Sequence, residues 1–140
     1  MQLVLATFLA GCVAPGSAVE TIYSSYRAYK EASNQQNIIE IAPSFFGSNL
    51  LGDDYRSDPY VADFLLFKQS MSREVSHYEK ALAHRGCLTI NGYNENNELV
   101  IFSLEYSLLG DKWLISTIHI IYDEKQPFDR ALCPDEYGAG

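Results

Sequence analysis

Apolar residues near the start of the chain recur at helical spacing. Val19, Ile22, Tyr23, Tyr26 and Tyr29 fall on one face of a helix, with Arg27, Lys30 and Glu31 mostly off it. Ser17-Ala18-Val19-Glu20 has the form of a capping box, in which Ser and Glu satisfy orphan amides at a helix start. A first helix is therefore predicted over about 18–33, ending in the polar stretch Ser33-Asn34-Gln35-Gln36-Asn37. Residues 38–51 are apolar but interrupted by Pro43 and Gly47, which predicts one or two short helical turns. A loop over 52–57 leads to Asp58-Pro59, suited to the N-cap and first position of a helix over about 59–71. Val61, Phe64, Leu65 and Met71 form its apolar face, and Lys68 on the same line is expected to snorkel.

Beyond that helix the period changes to two. Residues 75–83 read as a strand, although Tyr78-Glu79-Lys80-Ala81-Leu82 suits a helix equally well, and 87–93 is a better strand. After a turn at Asn94-Glu95-Asn96-Asn97, Val100, Phe102, Leu104, Tyr106 and Leu108 alternate with Ile101, Ser103, Glu105 and Ser107. That is the clearest strand signal in the chain. Gly110-Asp111 makes the next turn. Residues 113–122 are apolar on both faces, with Trp113, Ile115 and Ile121 on one and Leu114, Ile118, Ile120 and Tyr122 on the other. Such a strand sits in mid-sheet or at a contact between two copies of the chain. The tail from Asp123 holds Pro127 and Pro134 and is expected to be irregular. Helices first and then a meander predict an α+β fold, with helices packed on one face of a curved antiparallel sheet of about four strands.

Residues 3–10 are apolar apart from Thr7. As a helix they would reach only about 12 Å at 1.5 Å per residue, against a bilayer core of about 30 Å, which is the proportion of an export signal and not of a span. Leu9-Ala10-Gly11-Cys12 resembles the lipobox of bacterial lipoproteins at every position. Small residues at 10 and 11 suit an extended chain in a peptidase cleft, and the thiol of Cys12 is the atom that would receive diacylglycerol. The resemblance implies a signal peptide over 1–11, a lipidated tether over 12–18, a single α+β domain over 19–140, and membrane attachment through the lipid. It places the domain in the bacterial cell envelope. Val13, standing where Asp would favour retention at the inner membrane, implies the outer membrane, facing the periplasm. No Lys or Arg precedes Arg27, so only the terminal amine is positive in this region.

The chain has three cysteines. With Cys12 lipidated, Cys87 and Cys133 remain as an even pair that an oxidising compartment would join, the alternative being two free buried thiols. A bridge would close a loop of about 46 residues, worth roughly 2–4 kcal/mol in the chain-entropy description. His77, His84 and His119 show no paired ligand spacing with the cysteines, so zinc is disfavoured. There is no Gly-rich phosphate loop, no Gly-x-Ser-x-Gly elbow and no His-Glu-x-x-His, and no cofactor is expected.

Composition is that of a folded chain, with 47% hydrophobic and 20% charged residues. The formal net charge of −8 disfavours nucleic acid and anionic lipid surfaces, which would repel it. Ten tyrosines are many for 140 residues, and Tyr23, Tyr26 and Tyr29 suit either core packing or a pocket wall with hydroxyl tips.

The segment 99–122, above all Leu108-Leu109-Gly110-Asp111-Lys112-Trp113-Leu114-Ile115, resembles the terminal hairpin of nuclear-transport-factor-2-like domains, which are cone-shaped α+β rolls. The order of elements fits over about 18–122, and a cystatin-like helix-on-sheet fold is the alternative. The resemblance implies a pocket between sheet and helices. A two-residue turn at Gly110-Asp111 would set Tyr106 opposite Ile115, Leu104 opposite Thr117 and Phe102 opposite His119, whereas a one-residue slip would give a mixed face. In the first register Tyr106, Thr117 and His119 are the polar fixtures of an apolar pocket, and His119 is the candidate functional histidine.

Three functions are compatible with these residues. The leading expectation is a noncatalytic envelope domain that binds a small apolar ligand or a protein partner. The second is a small isomerase or cyclase of the ketosteroid-isomerase type, with His119 as base and Tyr106 as hydrogen-bond donor. The third is an immunity or inhibitor lipoprotein acting through an acidic patch at Asp53-Asp54 or Asp123-Glu124.

Overall fold

The computed structural model describes residues 20–137, so the lipobox with Cys12, the tether and Ser17 lie outside the described residues. The first helix, α1, is Ile22–Ala32, not 18–33. Its cap is Thr21, in extended backbone, whose Oγ1 accepts the Ser24 amide at 3.1 Å. The Thr21 hydroxyl, one residue before Ile22, thereby satisfies an orphan donor of the first turn. Ile22, Tyr26 and Tyr29 are its buried residues. At its other end the Lys68 ammonium donates to the carbonyls of Lys30 (2.7 Å) and Ser33, closing the last turn with a positive charge where the helix dipole favours one.

Residues 38–51 form two short turns, α2 (Ile38–Ile41) and α3 (Ser48–Leu51), separated by a 3-10 turn at Ala42–Ser44 that contains Pro43. The helix expected over 59–71 is broken. It consists of α4 (Val61–Leu65) and a 3-10 turn, Phe67–Ser70, joined at Leu66, where ψ is 33°. Asp58 does not cap it directly; its carboxylate accepts the Tyr60 amide at 2.9 Å in a turn ahead of the helix. The break lets Leu65, Leu66 and Phe67 all be buried, which an unbroken amphipathic helix would not allow for three consecutive residues.

Four antiparallel strands follow in chain order: β1 (Arg73–Ala81), β2 (Arg85–Tyr93), β3 (Leu99–Leu109) and β4 (Lys112–Ile121). The fold is thus α+β, with helices on one face of an open four-stranded meander, and Tyr78–Ala81 are strand. β4 is an edge strand, not mid-sheet. Gly110 takes φ +65° at the first position of the β3–β4 turn, a left-handed value that glycine adopts without steric cost. At Gly86 an added Cβ would collide with Ile22 Cδ1 and stand 3.4 Å from the Trp113 ring, so glycine here lets α1 approach the sheet.

The core lies between helices and sheet. Tyr29 stacks on Phe67 at 5.1 Å, and Phe67 meets Phe102 edge-on at 5.1 Å, with Tyr26, Phe46, Leu88, Ile90, Leu104 and Tyr106 packed around them. Each such side chain contributes roughly 1.5–3 kcal/mol by leaving water. The opposite face of the sheet is crossed by the C-terminal tail, fixed to β2 by a Cys87–Cys133 disulfide with Cα atoms 5.1 Å apart.

Candidate functional site

The two faces of the β3–β4 hairpin separate the expected pocket residues. Pairing starts as the turn predicts, with Leu109 opposite Lys112 and Tyr106 opposite Ile115. A bulge between Glu105 and Tyr106 then admits Ser116 as an extra residue, so Glu105 lies opposite Thr117, Leu104 opposite Ile118, Ser103 opposite His119 and Phe102 opposite Ile120. The register expected for Thr117 and His119 is therefore corrected by one residue. The cause is burial. The slip gathers Trp113, Ile115, Ile118 and Ile120 on the helix-facing side, which an unbroken period of two could not do. Tyr106 points into the helix-side core, while Thr117 and His119 fall on the tail side. The three do not form one pocket.

Tyr106 is fully buried, and its Oη has no hydrogen-bond partner among the described residues. Burial drives its pKa far up, so the group stays a neutral phenol. Tyr29, beside it in the core, is satisfied: its hydroxyl donates to the Leu65 carbonyl at 2.6 Å and accepts the Lys68 amide at 3.4 Å. Tyr26 and Tyr29 are likewise pushed up by burial. The tyrosine stripe is thus core packing. Aromatic rings fill the space between helices and sheet where the cone pocket was expected.

On the tail side, β2 presents Cys87, Thr89 and Asn91 at alternate positions, all buried. Each holds the tail. Asn91 donates to the Phe128 carbonyl at 2.9 Å and accepts the Phe128 amide at 3.0 Å, pairing like a strand. Thr89 Oγ1 accepts the Leu132 amide at 2.9 Å, and Ser103 Oγ donates to the Leu132 carbonyl at 2.9 Å. Two ion-pair sets close the far end. Arg85 bridges Glu105 and Asp135, and Lys80 grips Glu136 at 2.8 Å. The Lys80 bond and the Cys133 amide hold the Glu136 carboxyl below its ordinary range. His119 lies under this strap, half-buried, its ring edge-on to Tyr137 at 5.2 Å. Cys87, Thr89 and Asn91, non-aliphatic residues two apart between Leu88 and Ile90, are the only trace of this covering segment along β2.

A second polar cluster joins α1 to β1. Glu74 accepts the Tyr23 hydroxyl at 2.7 Å and lies 3.6 Å from Lys30 Nζ and 3.7 Å from His77 Nδ1, while the His77 ring stacks flat on Tyr23 at 3.4 Å. Burial, and then the bond to Glu74, push the Tyr23 hydroxyl up to about 12. Among the described residues, no group of three or more His, Cys, Asp or Glu is placed to hold a metal ion.

A mostly apolar cleft of about 270 Å³ lies at the hairpin end of the sheet. Pro43, Phe46, Leu51 and Tyr55 form one wall and Leu109 and Leu114 the other. Its position is set by backbone pairing: the Ile115 amide donates to the Phe45 carbonyl and the Gly47 amide to the Ile115 carbonyl, each at 2.8 Å. Leu109 is 70% exposed at its rim, and Asp53 and Asp54 are exposed nearby in sequence. Its residues come from segments without a shared period, so no pattern along the chain marked it. No protein-family model, curated protein or solved structure matches the chain.

Proposed function

We propose that the chain is a noncatalytic binding domain of the bacterial cell envelope. A lipid on Cys12 would hold it at the outer membrane, facing the periplasm, and an apolar ligand or apolar group of a partner protein would enter the Phe46–Leu114 cleft. The observation that carries the binding reading is that cleft, lined mostly by apolar side chains with a large aliphatic one, Leu109, left in water at its rim. Its volume of about 270 Å³ lies just below the usual range for small-molecule sites, about 300–1,000 Å³, and suits a small ligand, a chain end or a side chain. The Cys87–Cys133 bridge supports an oxidising compartment. Helices preceding an antiparallel meander, and the Gly110-Asp111 turn, support the likeness to nuclear-transport-factor-2-like domains.

The isomerase-type alternative loses its geometry, because Tyr106 and His119 lie on opposite faces of the sheet. The immunity or inhibitor reading keeps one support: exposed Asp53 and Asp54 stand in the loop that leads to Tyr55 of the cleft, where a basic partner would meet them.

Titration with a decyl-chain nonionic detergent below its micelle concentration, followed by NMR, tests the cleft. Shifts at Phe46, Tyr55, Leu109 and Leu114 that vanish in Leu109→Ser support it. Shifts elsewhere, or equal binding by Leu109→Ser, overturn it.

A further inference from the structure

The two edges of the sheet are finished differently. β1 carries Arg73, Glu74, Glu79 and Lys80, charges that keep other strands from adding to an edge, whereas both edge strands bulge, β1 between Glu74 and Ser76 and β4 at Ser116. β4 has Lys112 and His119 as its ionisable side chains and no acid, in a chain of net charge −8. Near the turn its outer side is already paired, at Ile115, by Phe45 and Gly47. From Ser116 to Ile121 no backbone segment among the described residues bonds that outer side. Ile118 and Ile120 are half-buried there, and Tyr122 just beyond is 56% exposed.

We propose that a second copy of this chain pairs antiparallel along β4, joining two sheets into one of eight strands. Beyond the Ser116 bulge the regular free segment, residues 117–121, is short, and its midpoint is His119. Pairing about a two-fold axis there places Ile118 of one copy beside Ile120 of the other on the helix side. The same antiparallel arrangement directs the Lys112 end of each strand toward the Asp123-Glu124 end of its partner, an opposite-charge complement that acts across the Phe45–Gly47 segment and not as a contact. Elsewhere the −8 surfaces repel, which leaves the β4 edge as the low-cost approach between copies. A strand-edge interface of this length is small, so the dimer is expected at the weak, micromolar end of the range. The Phe45–Gly47 segment sets the limit of overlap, because it occupies the outer side of Ile115.

Sedimentation equilibrium of the full chain carrying Cys12→Ser, which removes lipid and the third thiol, tests the proposal together with hydrogen exchange. The expected result is a dimer whose dissociation constant rises at least tenfold in Ile120→Lys and in Tyr122→Glu and stays unchanged in Val75→Lys on β1. Amides of Ser116–Ile121 should also exchange more slowly as concentration rises, with those of β1 indifferent. Should Ile120→Lys fail to fold, the solvent-facing Tyr122→Glu decides. A chain that remains monomeric throughout, a dimer untouched by the β4 substitutions, or β4 amides protected only when another envelope protein is added, overturns it.

Discussion

Replacing Tyr106 by Phe removes one oxygen and should stabilise the protein, against the usual direction for such a change. The hydroxyl is buried with no partner among the described residues. A buried polar group left unpaired costs about 1–3 kcal/mol. The void left by the oxygen, roughly 12 Å³, costs only about 0.3 kcal/mol at ~24 cal/mol per Å³. The net expectation is a gain of about 1–2 kcal/mol, or about 3–6 °C in Tm for a domain of this size. Tyr29→Phe is the internal control. It is the same chemical change in the same core, but it deletes the bond to the Leu65 carbonyl and leaves that acceptor and the Lys68 amide unpaired. It should cost about 1–3 kcal/mol. Urea unfolding of both variants beside the parent gives the two signs. If Tyr106→Phe loses stability as Tyr29→Phe does, the Tyr106 hydroxyl is hydrogen-bonded in solution and the reasoning fails.

Breaking the Cys87–Cys133 bridge, by reduction or by Cys133→Ser, should lower stability by roughly 2–4 kcal/mol and speed exchange of the Phe128 and Leu132 amides, which Asn91 and Thr89 hold; unchanged exchange would mean the polar ladder alone fixes the tail. Alkaline pH should destabilise the fold, because the Tyr23 phenol is raised from 10.0 to about 12: its contribution is complete below pH 10 and is lost as pH climbs toward 12. Tyr23→Phe should therefore show a shallower fall in Tm over that window, and an identical fall would contradict the role given to the Glu74 bond. Gly86→Ala should cost about 1–3 kcal/mol through the clash with Ile22, read as a lower urea midpoint at constant slope; a neutral result would show that α1 can move outward freely.

The strands were legible because their signals are local. The alternation from Val100 to Leu108 survives unchanged in β3. β4 was readable as a strand but not as an edge, since apolar side chains on both faces fit an interior position and an unfilled contact equally. Its bulge left a trace, the spacing of Trp113, Ile115, Ile118 and Ile120, in which a period of two slips once. The slip follows only from what packs on each face, and that depends on helices far away in the chain. For the same reason the pattern over 59–71 predicts a continuous helix. Nothing local to Leu66 breaks it; the need to bury Leu65, Leu66 and Phe67 together does. The tail shows the reverse case. Its prolines pointed to irregular structure, yet Thr89 and Asn91 turn it into a strap by offering side chains where a fifth strand would offer backbone. The cleft was invisible because Pro43, Phe46, Tyr55 and Leu114 meet only after β4 recruits Phe45 and Gly47.

The intact mass of native protein extracted from membranes tests the placement of this domain in the envelope. The expected product is a chain that begins at Cys12, carries diacylglycerol there, and is lighter by two hydrogens for the bond between Cys87 and Cys133. A chain that begins at Met1, unmodified and with every thiol reduced, would contradict it.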